Sequence, residues 1–109
     1  MMKWDKALRD GKIFSKETLA LAYTPGSPLV PYQSNYGLGW RILQVPNGKK
    51  MVYHNGWWHG MRSVFIRLID EDAVIIILSN SSFATISESR KLADLFGQYQ
   101  QAGKSIVNF

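Results

Sequence analysis

The spacing of apolar positions changes several times along the chain, and each change marks a predicted element. Over residues 3–10, Trp4, Ala7 and Leu8 share one helical face, and Gly11 is placed to stop the helix. A second helix is predicted from Ser15, whose hydroxyl can cap open N–H groups while Phe14 staples onto Leu19. It should run to about Tyr23, because Pro25 disfavours helix at the residue before it. "TPGSPLVPYQSN", with three prolines and no periodicity, reads as a connection. From Tyr36 the period becomes two: Tyr36, Leu38, Trp40 and Ile42 fall on one face of a predicted strand, with Gly37 and Gly39 opposite. Glycines inside a strand mark close approach of another backbone or a ligand. Asn47-Gly48 predicts a hairpin turn, and the return strand covers 51–55. Strands at 61–69 and 73–79 follow, separated by the polar turn Asp70-Glu71-Asp72. A last helix is predicted over about 86–101, with Thr85 and Glu88 as a capping box and Leu92, Leu95, Phe96 and Tyr99 as its apolar stripe.

These elements define an α+β chain: a helical segment at 1–24, a connection at 25–35, antiparallel strands within 36–80, and the 86–101 helix. The expected sheet has three to four strands, with the C-terminal helix on one face and the short N-terminal helices beside it. In "AVIIILSN", Val74, Ile76 and Leu78 point one way while Ala73, Ile75 and Ile77 point the other. A strand apolar on both faces wants cover on both, more than one long helix supplies. The sequence is therefore expected to be the C-terminal part of a larger domain. Its partner would be the missing N-terminal part, or another copy meeting it through residues 73–79.

Composition narrows the class without naming a function. The 109 residues are 46% hydrophobic, 13% aromatic and 19% charged, a globular profile and enough for one domain. There is no cysteine, which excludes disulfides and thiolate metal sites. The apolar run at 73–78 is far too short to span a bilayer, and the charged N-terminus has no signal-peptide core. Net charge is +5, but the basic residues are dispersed, so a solvated basic surface is expected and not a nucleic-acid site.

The stretch "VYHNGWWHGMRSVFI", residues 52–66, holds the candidate chemistry. "YGLGW" at 36–40, "HNG" at 54–56, "G-M-x-S" at 60–63 and "IILSN" at 76–80 occur in this order. Together they resemble the C-terminal third of the serine β-lactamase and penicillin-binding-protein superfamily, in its class C β-lactamase, D,D-peptidase and esterase branch. "MKWDKALRDGKIFSKETLALAYTP" is similar to the helical segment that precedes that region. The resemblance implies a partial β-lactamase/transpeptidase-like domain from a bacterial periplasm or cell envelope. It implies acyl transfer without a cofactor, on a β-lactam, a peptidoglycan peptide or a small ester. In the family an S-x-x-K motif supplies the nucleophile, and a K-T-G or H-x-G motif lines the cleft wall. His54-Asn55-Gly56 matches the latter. The match assigns His54 to hydrogen bonding or proton relay, and Asn55, Gly56 and Trp58 to substrate contact. Trp57 would give its backbone N–H to the oxyanion hole.

The departures from the family pattern are specific. No serine is followed three residues later by lysine, and there is no G-x-S-x-G elbow. "YQSN" at 32–35 has the wrong spacing for Y-x-N, Asn55 replaces a commoner threonine or glycine, and Trp57-Trp58 is bulkier than usual there. Without the nucleophile these residues alone are not expected to hydrolyse anything. Trp57 and Trp58 either stack on a ligand or plug the core at a strand end. The alternative function is a non-catalytic module that binds a peptide or sugar through them. His54 and His59 are too few for a zinc site, and no metal is expected. Trp4 and Trp40 are expected in the core, and Arg62 on a solvated surface.

Overall fold

The structure, a computed structural model, describes residues 1–26, 34–45, 48–81, 89–97 and 99. Helices α1 (Met2–Arg9) and α2 (Lys16–Ala22) precede strands β1 (Ser34–Tyr36), β2 (Arg41–Gln44), β3 (Lys50–Trp58), β4 (Met61–Leu68) and β5 (Ala73–Ser79), and a 3-10 helix spans Arg90–Leu95. The strands form one antiparallel sheet in chain order, β1-β2-β3-β4-β5. The α+β class holds, with five strands where three to four were expected.

The additional strand comes from "YGLGW", which is a turn and not part of one continuous strand. Tyr36 pairs with Arg41, and the Gly37 N–H donates to the Trp40 carbonyl at 2.8 Å. Gly39 takes φ +79°, where a side chain is strained. A Cβ on Gly37 would sit 2.2 Å from the Ala22 carbonyl oxygen. The close approach that the glycines foretold is therefore the end of α2.

Side-chain alternation sorts the sheet into two faces. On one face Leu43, Met51, Tyr53, Val64, Ile66, Leu68 and Ile75 pack with Ala93 and Tyr99 from the C-terminal segment. On the other, Ile42 and Val52 pack under Tyr23, Leu19, Ala22 and Trp40. Ser15 caps α2 as expected, accepting from the Thr18 N–H at 3.1 Å, and Phe14 and Leu19 line one cavity beside it. Trp40 is half-buried against Tyr23 and Phe65, but Trp4 is half-exposed. Helix α1 buries Leu8 and, unexpectedly, Asp5.

Asp5 belongs to a four-membered ionic cluster that ties α1 to the sheet. Its carboxylate lies 3.4 Å from Arg67 Nη1 and 3.1 Å from Arg9 Nε. Asp72, in the β4–β5 turn, takes hydrogen bonds from Arg67 Nη2 at 2.6 Å and Arg9 Nη1 at 3.0 Å. Glu71 in the same turn receives Lys49 Nζ and the Tyr99 hydroxyl. Burial, reinforced by Glu71, pushes the Tyr99 phenol up. The acidic turn is thus a clamp as well as a hairpin.

The predicted 86–101 helix lies partly outside the described residues, as do Thr85 and Glu88. Its described part is the 3-10 helix, in which residues three apart eclipse one another. Leu92 and Leu95 accordingly share an exposed side, while Ala93 and Tyr99 enter the core. Of the expected apolar stripe Tyr99 is buried, whereas Leu92, Leu95 and Phe96 are exposed. Among the described residues, no helix is long and apolar enough to cross a membrane.

Candidate functional site

The site grows from the β3–β4 hairpin. His59 and Gly60 are its two turn residues, with φ of +46° and +81°. Positive φ at both central positions defines the tight turn that matches strand twist. Strand β3 therefore continues further than the sequence predicted, and Trp57 and Trp58 belong to it and not to a loop. The two rings are 69% and 75% exposed, so neither plugs the core. The Arg62 guanidinium lies over the Trp57 ring, 4.8 Å from its centre. Arg62 is half-buried by this contact and not simply solvated. Trp58 meets the His59 ring edge to face, at 4.5 Å between centres.

Backbone register determines which atoms of "HNGW" face outward. The Val45 N–H donates to the Lys49 carbonyl at 3.0 Å, which makes 45/49 a hydrogen-bonded position of the β2–β3 ladder. Alternation then assigns 43/51 and 41/53 as the next such pairs. Odd-numbered residues of β3 therefore turn their N–H and C=O groups toward β2. The β2 pairing ends at Tyr53, whereas β3 runs on to Trp58. Among the described residues, the polar backbone of Asn55 and Trp57 thus lies on an unpaired edge. The hairpin agrees: its closing pair Trp58/Met61 is hydrogen-bonded, so Trp57/Arg62 is not.

His54 sits beside this edge and is exposed. Its Nδ1 is 2.8 Å from the Asn55 carbonyl oxygen, and its Nε2 is 2.8 Å from the Tyr36 hydroxyl. The two rings meet edge to face at 5.9 Å. Tyr36 is the residue that sequence reading missed as part of the site. A hint lay in its place in "YGLGW", but only the β1–β2–β3 pairing brings it to His54.

Gly56 pairs with Ser63, and a Cβ there would stand 2.7 Å from the Ser63 hydroxyl. The strand surface is therefore smooth at this point. Around it Trp58, Met61, Arg62, Ser63 and Leu78 border an open cavity of about 390 Å³. His54, Asn55, Gly56, Trp57 and Trp58 thus form one continuous strip, with His54 and Tyr36 at one end and the exposed tryptophans at the other. No group of three metal-ligating side chains occurs among the described residues.

Comparison with known proteins gives one informative similarity. Over 102 residues, 90% of this chain, the sequence is 32% identical to Penicillin-binding protein 4* of Bacillus subtilis (strain 168). The matched region is 23% of that protein's length, so the chain is related to a segment of a penicillin-binding protein. No family model and no solved structure matches.

Proposed function

We propose that this chain is the cleft-wall part of a serine hydrolase of the β-lactamase and penicillin-binding type. His54-Asn55-Gly56 serves as the wall motif and the Trp57 amide as an oxyanion donor. The observation that carries this reading is the edge of β3 beyond the end of β2, toward which the backbone groups of Asn55 and Trp57 are directed, the Asn55 carbonyl already meeting His54 Nδ1. Such an edge accepts an extended acyl substrate as an added strand, and a fixed backbone N–H stabilises developing charge on its carbonyl oxygen. The smooth surface at Gly56 permits close approach, and His54 supplies a hydrogen-bonding side chain beside it. The nucleophilic serine and its lysine would come from outside these 109 residues, in a bacterial envelope protein, and the substrate would be a β-lactam, a peptidoglycan peptide or an ester.

The test is acylation by a fluorescent penicillin in a longer polypeptide joining this segment to an S-x-x-K half. Trp57→Pro deletes the N–H on an edge that tolerates proline. Labelling should slow by about 10²–10³, the usual cost of one oxyanion donor. The 109 residues alone should take no label. Labelling of the short chain, or an unchanged rate in the proline variant, defeats the reading.

The exposure of Trp57 and Trp58 favours a second reading, a non-catalytic module that binds peptides or sugars. Titration of tryptophan fluorescence with cell-wall fragments separates the two. A saturable shift without acylation supports the module, and no shift at millimolar fragment removes it.

A further inference from the structure

A second cavity, of about 260 Å³, lies between the two N-terminal helices and the β1–β2 turn, bordered by Trp4, Leu8, Phe14, Leu19, Leu38 and Trp40. Three of these side chains reach well into solvent: Trp4 and Phe14 are half-exposed, and Leu38 is 66% exposed. Ile13, next to Phe14, is exposed as well. Single apolar residues are ordinary on a surface, but these border one cavity and so form a continuous patch. The charges beside the patch leave one sign over. Lys6 is paired with Asp10, and Arg9 with Asp5 and Asp72. Lys3, Lys12 and Lys16 are exposed and enter no salt bridge among the described residues. Lys3 adjoins Trp4, and Lys12 and Lys16 stand two residues to either side of Phe14. Glu17 is the one carboxylate of residues 1–26 outside those pairs.

We propose that this face docks on an anionic lipid surface. Trp4, Phe14 and Leu38 enter the boundary between headgroups and acyl chains, and Lys3, Lys12 and Lys16 meet the negative headgroups. Lysine stems lie along apolar surface while their ammonium groups reach past it, so rings at the centre and cations at the rim match the two layers of a bilayer face. The chain lies on the membrane and does not cross it, in keeping with the lack of a long apolar helix among the described residues. A protein partner would have to supply acidic side chains spaced around an apolar centre, whereas an anionic bilayer offers both at every point. The docking stands apart from the hydrolase reading. It would nevertheless hold the His54 end of the β3 strip near the bilayer, because Leu38 follows by two residues the Tyr36 whose hydroxyl meets His54.

The test is co-sedimentation of the dilute 109-residue chain with vesicles of equal parts phosphatidylglycerol and phosphatidylcholine, against vesicles of phosphatidylcholine alone. A lysine close to an anionic surface strengthens binding about fivefold, so three give on the order of 10². Binding to the mixed vesicles should be stronger by about that factor. Lys3→Gln, Lys12→Gln and Lys16→Gln combined should reduce it to the neutral-vesicle level. Trp4→Ser with Phe14→Ser should weaken it by about tenfold or more, with the urea midpoint as the check on folding. Should those two changes unfold the chain, the lysine variant, which alters only exposed side chains, decides alone. Equal binding to the two kinds of vesicle, or a lysine variant that binds as tightly as the unmodified chain, would overturn the proposal. Binding that disappears in the longer polypeptide carrying the S-x-x-K half would overturn it too, since the patch would then be a contact within one protein.

Discussion

Removing the carboxylate of Asp5 is the sharpest test of how the N-terminal helices hold the sheet. Asp5 is 1% exposed and Arg67 5% exposed, so Asp5→Ala strands a guanidinium that water cannot reach. Breaking a buried pair from one side typically costs about 3–5 kcal/mol. Two observations favour the lower end. Asp5 Oδ1 approaches Arg67 at 3.4 Å without forming a hydrogen bond, so the attraction is one of charge and not of aligned donor and acceptor. Arg67 also keeps its 2.6 Å bond to Asp72, which is exposed and screened. The expected loss is about 3 kcal/mol, on the order of a 150-fold change in the folding equilibrium. For a chain of this size that corresponds to a Tm lower by about 12–24 °C.

Urea unfolding followed by tryptophan fluorescence measures the loss, since Trp40 packs against Tyr23 and Phe65 on the same sheet face. A second variant, Asp5→Ala with Arg67→Met, separates charge from packing. Replacing both charges by apolar groups removes the stranded cation, so the pair should be more stable than Asp5→Ala alone. A single-variant loss below about 1 kcal/mol, or simple additivity in the double variant, would refute the reasoning.

Other perturbations read individual contacts. Gly37→Ala should cost about 2–3 kcal/mol in the same assay, because the obstacle 2.2 Å from the new Cβ is the Ala22 main-chain carbonyl; a loss under 0.5 kcal/mol, on the order of an ordinary surface change, would mean that α2 shifts freely. Ser15→Ala should cost about 1 kcal/mol through loss of the Thr18 N–H bond, and Ser15→Asn should restore most of it. Partial desolvation pushes the Asp72 carboxyl upward, but hydrogen bonds from Arg67 and Arg9 prevail and hold it below its ordinary value of 3.8. A depressed folded value gives stabilisation that is complete above 3.8 and lost as pH falls through the lower value. Acid titration of stability should therefore fall less steeply in Asp72→Asn, and an identical acid limb would contradict the assignment.

Local signals in the sequence located the elements that depend on local causes. The 73–79 strand, the Ser15 cap and the glycine after α1 follow from periodicity, side-chain hydrogen bonding and φ preference, and all three are observed. "YGLGW" misled because alternating glycines imitate a strand period, while the conformation depends on Ala22, which packs against it from another element. Asp5 and Arg67 resembled surface charges, and nothing within a helical turn or a strand period indicates a partner 62 positions away. The candidate triplet His54-Asn55-Gly56 could be picked out as residues. The outward edge at Trp57 could not, because it depends on where β2 stops relative to β3. Tyr36 was hidden for the same reason.

Strand β5 carries the remaining prediction. Among the described residues it is the sheet's last strand, paired only with β4, and of Ala73, Val74, Ile75, Ile76, Ile77 and Leu78 only Ile75 is buried. Sheet edges are normally protected by lysine, proline or a bulge, and "AVIIILS" carries no charge or proline. Leu78 is 68% exposed, so covering it contributes roughly 1–2 kcal/mol, with added ladder hydrogen bonds beside it. The 109 residues expressed alone should associate through this strand, with a mass by light scattering that rises with concentration. Leu78→Lys introduces an edge charge without touching the core around Ile75 and Ile77, and should shift the population to monomer while leaving the unfolding midpoint of dilute protein within about 0.5 kcal/mol. A monomer at every concentration in the unmodified chain would show that β5 needs no neighbour. An associated state that Leu78→Lys leaves intact would place the contact elsewhere, with the exposed Trp57–Trp58 surface as the next candidate.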